Sequence, residues 1–318
     1  MGPSIAVERA SLNGTDSSRH DGVVLPLPER AAQLTQIARA DLIAALGWLG
    51  RGPARWLVAR AGDAAAAAFA RDLLAFDQVI AEHGLTAAAR QLLARHVGEL
   101  WVRGREHLPP RGPVLLIANH PGLSDALALI VAVGDDTLQL VAAARPFFTA
   151  LPALSKQLIL VGNAGEYGTA RAILSQLRAG GRVATFPAGT IEPDPLRHPA
   201  ALLGPKPWQA QVAPFARRLP AVPVIPVVIG GVLTSAALRQ PLARVHWSRA
   251  ARERAAAMLQ VLRPSLRPAA VRLVFGPPLR EWSAETLDAT YRALDQALRA
   301  PTGWTVLPLA GARPATSS

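Results

Sequence analysis

From Trp101 onward, short apolar runs alternate with longer segments of helical periodicity, and this feature restricts the fold most. The runs are VLLIA (Val114–Ala118), LQLVAAA (Leu138–Ala144), LILVG (Leu158–Gly162), RVATF (Arg182–Phe186) and VPVIPVVIGG (Val222–Gly231), mostly separated by roughly 20 to 30 residues. Such spacing leaves room for a crossover helix between parallel strands. Runs with so little polar alternation belong to strands covered on both faces. The pattern predicts an α/β fold: a largely parallel sheet flanked by helices, with an N-terminal helical region ahead of it. Gly180-Gly181 ends a helix running from about Tyr167 to Arg178. VRLVFG (Val271–Gly276) supplies a last strand, and Ser283 is placed to cap a helix to about Leu298.

Domain boundaries follow changes in texture. Residues 1–30 lack periodicity and read as a flexible tail, and 31–100 read as helical. Residues 101–300 form the α/β domain, and 301–318 form a loosely ordered C-terminal tail. In the helical region Gly50, Gly52 and Pro53 interrupt the first helix. Trp48, Trp56, Leu57, Phe69, Leu73 and Phe76 could supply one large apolar surface. That surface could pack on the core or lie in a bilayer interface with arginines meeting head groups, and the two uses are compatible. Residues 242–263 read as an arginine-rich amphipathic helix, and 207–219 as another helix near Pro207.

Composition removes several functional classes. With no cysteine, disulfides, thiolate metal sites and a cysteine nucleophile are excluded. The net charge is +12, carried almost entirely by arginine, since Lys156 and Lys206 are the only lysines. This favours an anionic partner. The basic residues are dispersed and lack aromatic interleaving, so an anionic membrane surface or phosphorylated ligand is expected rather than nucleic acid. The N-terminus has no signal-peptide pattern, and no clean apolar stretch reaches the about 18 residues a span requires.

Chemistry concentrates at NHPGLSD (Asn119–Asp125), between the run ending at Ala118 and the apolar helix from Ala126. A histidine at a strand end in a Pro/Gly loop faces a cleft mouth, where open parallel sheets bind ligands. Asp125 can fold back across the turn to His120 and hold one ring nitrogen, leaving the other to accept a proton. Ser124 lacks the glycines of a nucleophile elbow and reads as a helix N-cap. Read this way, the pair is a base for a substrate hydroxyl or amine; a purely structural pairing is the alternative. The remaining histidines show no metal-ligand spacing. Glu192, Asp194 and His198 also fit no metal motif.

NHPGLSD, FPAGT (Phe186–Thr190) and VPVIPV (Val222–Val227), in this order, resemble the blocks of the glycerolipid acyltransferase superfamily, which includes the lysophosphatidic acid acyltransferases. The resemblance spans about Trp101 to Phe275 and implies a glycerol-3-phosphate acyltransferase-like fold. It implies that His120 is the general base and that Asp125 orients it. Gly189 and Thr190 would position the acceptor head group, and Pro223 and Pro226 would shape the substrate channel. The implied reaction is direct attack of a lysolipid hydroxyl, or amine, on acyl-CoA or acyl carrier protein, as in phospholipid biosynthesis. The resemblance also implies that no cofactor is permanently bound and that the protein sits peripherally on the cytoplasmic face of the membrane.

The chain departs from the family pattern twice. Ala188 stands where the third block usually has glutamate, and Glu192 lies nearby without inheriting that role. The second block usually follows its glycine closely with arginine; here Gly162 precedes Asn163 and no arginine comes until Arg171. Arg145, in AAARPFF, is another basic candidate for the pocket. These departures leave the acceptor lipid open. The same dyad could instead act on water, as a thioesterase or lipid esterase, or the fold could serve as an inactive lipid-binding protein.

Overall fold

A computed structural model describes residues 26–45, 55–122, 124–161, 165–198, 214–215, 217–244, 248–268, 270–280 and 283–309. Helices α1 (Leu27–Ala45), α2 (Arg55–His83) and α3 (Leu85–His96) precede strand β1 (Glu99–Arg103) and β2 (Val114–Ala118). Then follow α4 (Asp125–Val133), β3 (Leu138–Ala143), the single turn α5 (Pro152–Ser155), β4 (Leu158–Val161), α6 (Gly165–Arg178), β5 (Arg182–Thr185) and β6 (Val224–Gly230). Short helices α7 (Ser235–Leu238) and α8 (Pro241–Arg244) lead to α9 (Arg249–Leu262), β7 (Ala270–Phe275), α10 (Ala284–Arg299) and β8 (Thr305–Leu307).

The eight strands form one sheet in the order β4-β3-β5-β2-β6-β7-β1-β8. β2 to β6 run parallel to one another, as the sequence predicts. The sheet turns antiparallel at β6–β7 and again at the β1–β8 edge. β8 is a departure: residues 305–307, placed by sequence in the C-terminal tail, pair with β1. They are exposed or half-buried and only three long, so no periodicity announces them.

β2 shows why the apolar runs are continuous. All five of its residues are buried. Val114, Leu116 and Ala118 enter a core with α3 and α4, while Leu115 and Ile117 enter a second core with Ile173 and Leu177 of α6. Successive side chains point to opposite faces, and both faces are covered, so every position must be apolar. A third core, under α10, joins Val228 of β6 and Val274 of β7 to Tyr291, Leu294 and Leu298. Ser283 caps α10 as expected, accepting the Thr286 N–H at 3.1 Å.

The helical region packs on the α/β core. Arg30 of α1 binds the Asp77 carboxylate of α2 at 2.7 Å and donates to the Ala150 carbonyl at 2.7 Å. The other Asp77 oxygen accepts from Leu154 N, and Leu34, Ala70, Ala150 and Leu151 bury together. Phe76 is buried, whereas the interruption at Gly50, Gly52 and Pro53, with Trp48, lies outside the described residues, as do the tail to residue 25 and most of 207–219. The segment 242–263 is not one helix: α8 ends at Arg244, and Ser248 starts α9 by accepting the Ala251 N–H at 3.2 Å. Among the described residues no helix is long and apolar enough to cross a membrane.

Candidate active site

β2 ends at Ala118, and Asn119 takes over where the strand stops. Its side-chain amide donates to Ile229 O at 2.9 Å and accepts from Ile229 N at 2.7 Å. This extends the β2–β6 ladder by one residue through a side chain that is 1% exposed. The clamp fixes the point from which His120 departs. Gly122 must be glycine in the following turn, because a Cβ there would lie 2.7 Å from Cγ1 of Val232.

Asp125 is the first residue of α4 and is fully buried. One carboxylate oxygen lies 2.8 Å from Nδ1 of His120 and accepts the Gly122 N–H at 3.0 Å; the other accepts the Ala126 N–H at 2.7 Å. Two backbone amides and the amino end of a helix thus stabilise a carboxylate with no solvent access. A carboxylate only accepts, so Nδ1 carries the proton and Nε2 is the basic atom of the ring. Ser124 precedes α4 as expected of an N-cap, but its side chain caps nothing, since Asp125 itself accepts from the first turn.

The third-block turn lies against this histidine. Gly189 N donates to Phe186 O at 3.0 Å, closing a turn with Pro187 second and Gly189 fourth, the latter at φ 64°. The Phe186 ring stands 4.9 Å from the imidazole, centroid to centroid. Gly189 and Thr190 are exposed at the same edge of the sheet. Beyond them, the Glu192 side chain accepts the His120 N–H at 3.0 Å, and Glu192 N donates to His120 O at 2.7 Å. Burial works to lower the His120 pKa, but the Asp125 charge and hydrogen bond, with the Glu192 charge, outweigh it and hold it above 6.5.

The structure sorts the remaining sequence-derived residues. Arg145 is exposed just beyond β3, at the carboxyl edge of the sheet but two strands from β2. Pro226 is buried within β6, in register with Ile117. Its carbonyl accepts Gly276 N, just past the end of β7, so its missing N–H faces the side where the neighbouring strand has stopped. Pro223 lies at the other end of the sheet: its carbonyl accepts Leu115 N, about 16 Å of strand away from the level of His120. The structure therefore joins His120 to Asp125, sets the Phe186 ring of the Phe186–Gly189 turn against the imidazole, and places Pro223 at the opposite end of the sheet. Gly162 and Asn163 lie outside the described residues, and Arg171 is exposed on α6.

Glu192, Asp194 and His198, close in sequence, have separate tasks. Glu192 binds His120. Asp194 is fully buried and accepts from Leu196, Gly231 and Leu233 N–H groups, each at 3.0 Å, tying the third-block loop to the end of β6. His198 pairs with Glu253 of α9 at 2.8 Å. No acidic or histidine cluster fit for a metal occurs among the described residues. Ala188 packs against the core containing Val228 and Tyr291, surroundings in which a carboxylate would lose its hydration.

An imidazole with one nitrogen fixed by a buried carboxylate, at the carboxyl end of a parallel sheet and without an attached nucleophile, defines a site for proton removal from a substrate. Residues 99–230 match the family model described as Acyltransferase. Among solved structures the chain is similar to the 1-acyl-sn-glycerophosphate (LPA) acyltransferase PlsC from Thermotoga maritima, with 17% identity, 83% of this chain and 96% of that chain covered, and a TM-score of 0.41. No curated protein matches the sequence.

Proposed function

We propose that the protein moves an acyl chain from a thioester donor, acyl-CoA or acyl carrier protein, to the hydroxyl or amine of a lysolipid. The observation that carries this reading is the 2.8 Å contact between Nδ1 of His120 and the buried Asp125 carboxylate. Nε2 takes the proton as the acceptor oxygen or nitrogen attacks the thioester carbonyl. The tetrahedral intermediate then expels the thiolate, which takes the proton back from the imidazolium. The acyl group passes directly between substrates, with no acyl-enzyme. A thioester is already activated, so orientation and a neutral imidazole supply much of the acceleration. Gly189 and Thr190, exposed beside His120, are suited to the acceptor head group, and Arg145 offers a guanidinium at the same edge for an anionic substituent. The dispersed arginines and the helical pair α1–α2 suit peripheral attachment to an anionic, cytoplasm-facing membrane surface.

The test is thiol release from a long-chain acyl-CoA with and without lysolipid acceptors. Acceptor-dependent release, lost in His120→Ala, is the expected result. Equal release without acceptor assigns a hydrolase, and lipid binding with no turnover assigns a binding protein. Association with anionic vesicles, reversed by salt and absent with zwitterionic ones, tests the membrane reading. Lipid profiles of cells expressing wild type or His120→Ala identify the acceptor.

A further inference from the structure

We propose that Glu192 is a positioning residue of this site, fixing the main chain of His120 and setting a second negative charge beside its ring. The inference rests on His120 being the base of the proposed acyl transfer, and it assigns a task that Asp125 cannot perform. His120 lies two residues beyond the end of β2, and β5 beside it ends at Thr185. On the other side, β6 gives its Ile229 N–H and C=O to the Asn119 side chain, so the main-chain N–H and C=O of His120 turn elsewhere. One residue, 72 positions away, takes both: the Glu192 side chain accepts from His120 N, and Glu192 N donates to His120 O. Asp125 decides which ring nitrogen carries the proton; Glu192 decides where the ring stands.

Glu192 is itself held. Pro193 follows it, and two residues on, Asp194 accepts from Leu196 N within the loop and from Gly231 N and Leu233 N just past β6. Behind it, Tyr291 of α10 is fully buried within electrostatic reach. Burial and then the Glu192 charge push the Tyr291 phenol well above its ordinary value, so it stays neutral throughout the working range. The charges that act on the imidazole are Asp125, from its own turn, and Glu192, from the third-block loop; Phe186 contributes an uncharged ring face. Arg197, the cation on the same loop, is engaged elsewhere, with Leu233 O and Ser235 Oγ. The imidazolium formed when His120 takes a proton thus faces two carboxylates, which stabilise it as the acceptor loses its proton.

Glu192→Gln is the informative variant, because the amide oxygen still accepts from His120 N while the charge is gone. Its acid limb in kcat/KM against pH is expected to move to lower pH, with kcat reduced by about tenfold and both KM values little changed. Glu192→Ala also loses the acceptor and is expected to drop kcat by about 10²-fold through misplacement of the ring. A residue that merely stabilised the loop would lower the melting temperature and leave the limb in place. Imidazole titration by NMR, with His120 signals assigned against His120→Gln, reads the same shift without turnover. An unmoved His120 titration in folded Glu192→Gln overturns the proposal. A wild type that lacks acyl transfer but whose His120 titration responds to Glu192→Gln overturns the functional reading and leaves the role of Glu192 standing.

Discussion

Replacing Asn119 by aspartate changes one atom of a buried side chain and makes stability depend on pH. In the native protein the amide of Asn119 donates at 2.9 Å and accepts at 2.7 Å, both to Ile229. An ionised aspartate keeps the acceptor but sets a second oxygen against the Ile229 carbonyl, in a place that is 1% exposed. Losing the donor bond and leaving a buried group unsatisfied costs about 2–3 kcal/mol at pH 7. A protonated aspartate is different, because its hydroxyl donates where the amide did and its carbonyl accepts. The variant's folded pKa is therefore raised above the unfolded value of about 3.9, and the stability gap to wild type closes as pH falls below the raised value, at about 1.4 kcal/mol per unit. At pH 5 the remaining gap is about 1.5 kcal/mol. Urea melts of wild type and Asn119→Asp at pH 7 and pH 5 measure this directly. A gap below 1 kcal/mol at pH 7, or one of equal size at both values, refutes the clamp. Activity of Asn119→Asp should fall with stability, since His120 begins at the clamped residue.

Asp125→Asn leaves one acceptor oxygen where two oxygens serve three partners, so the ring tautomer is no longer enforced; acyl transfer should fall by about 10³–10⁴ while circular dichroism stays native. In wild type, the acid limb of kcat/KM should lie above pH 6.5, because the neutral imidazole is the base and its pKa is raised; a limb below 6.5 contradicts the electrostatics described. The matching stability contribution of His120 is complete below about pH 6.5 and disappears as pH rises through the folded value. Asp194→Ala orphans three backbone N–H groups and should cost about 3–5 kcal/mol in thermal or urea unfolding, with a larger loss of activity than of helicity. Dialysis against a chelator should leave acyl transfer intact; a lasting loss restored by one metal would overturn the metal-free mechanism.

Local signals in the sequence are enough to place much of this molecule. The buried strand runs announce a two-sided parallel sheet, Ser283 announces the start of α10, and the spacing of His120 and Asp125 suits one turn of chain at a strand end. Features that depend on a partner far away in sequence stay hidden. Asn119 reads as an ordinary loop asparagine until β6 arrives beside it, 110 positions later. Glu192 reads as an ordinary loop glutamate until folding brings it to His120, 72 positions earlier. Pro223 and Pro226 sit three residues apart in one motif, yet parallel register puts Pro223 at the far end of the sheet. The break between α8 and α9 carries no glycine or proline to mark it, and only the Ser248 cap announces the second helix.

β1 carries a consequence for synthesis. It is made early, but both of its sheet neighbours come from the end of the chain: Leu100 pairs with Val271 on one side and with Leu307 on the other. A nascent chain that has released everything up to β6 therefore holds β1 with no strand beside it, and β6 with one bare edge. Loop closure across this span is slow compared with local helix formation, so α1 to α4 and the parallel strands can assemble while the last three positions of the sheet wait. During that interval the bare edge of β6, a strand whose residues are all buried in the finished sheet, is open to intermolecular pairing. β8, the last of the described strands, thus joins the sheet after every strand it completes has emerged.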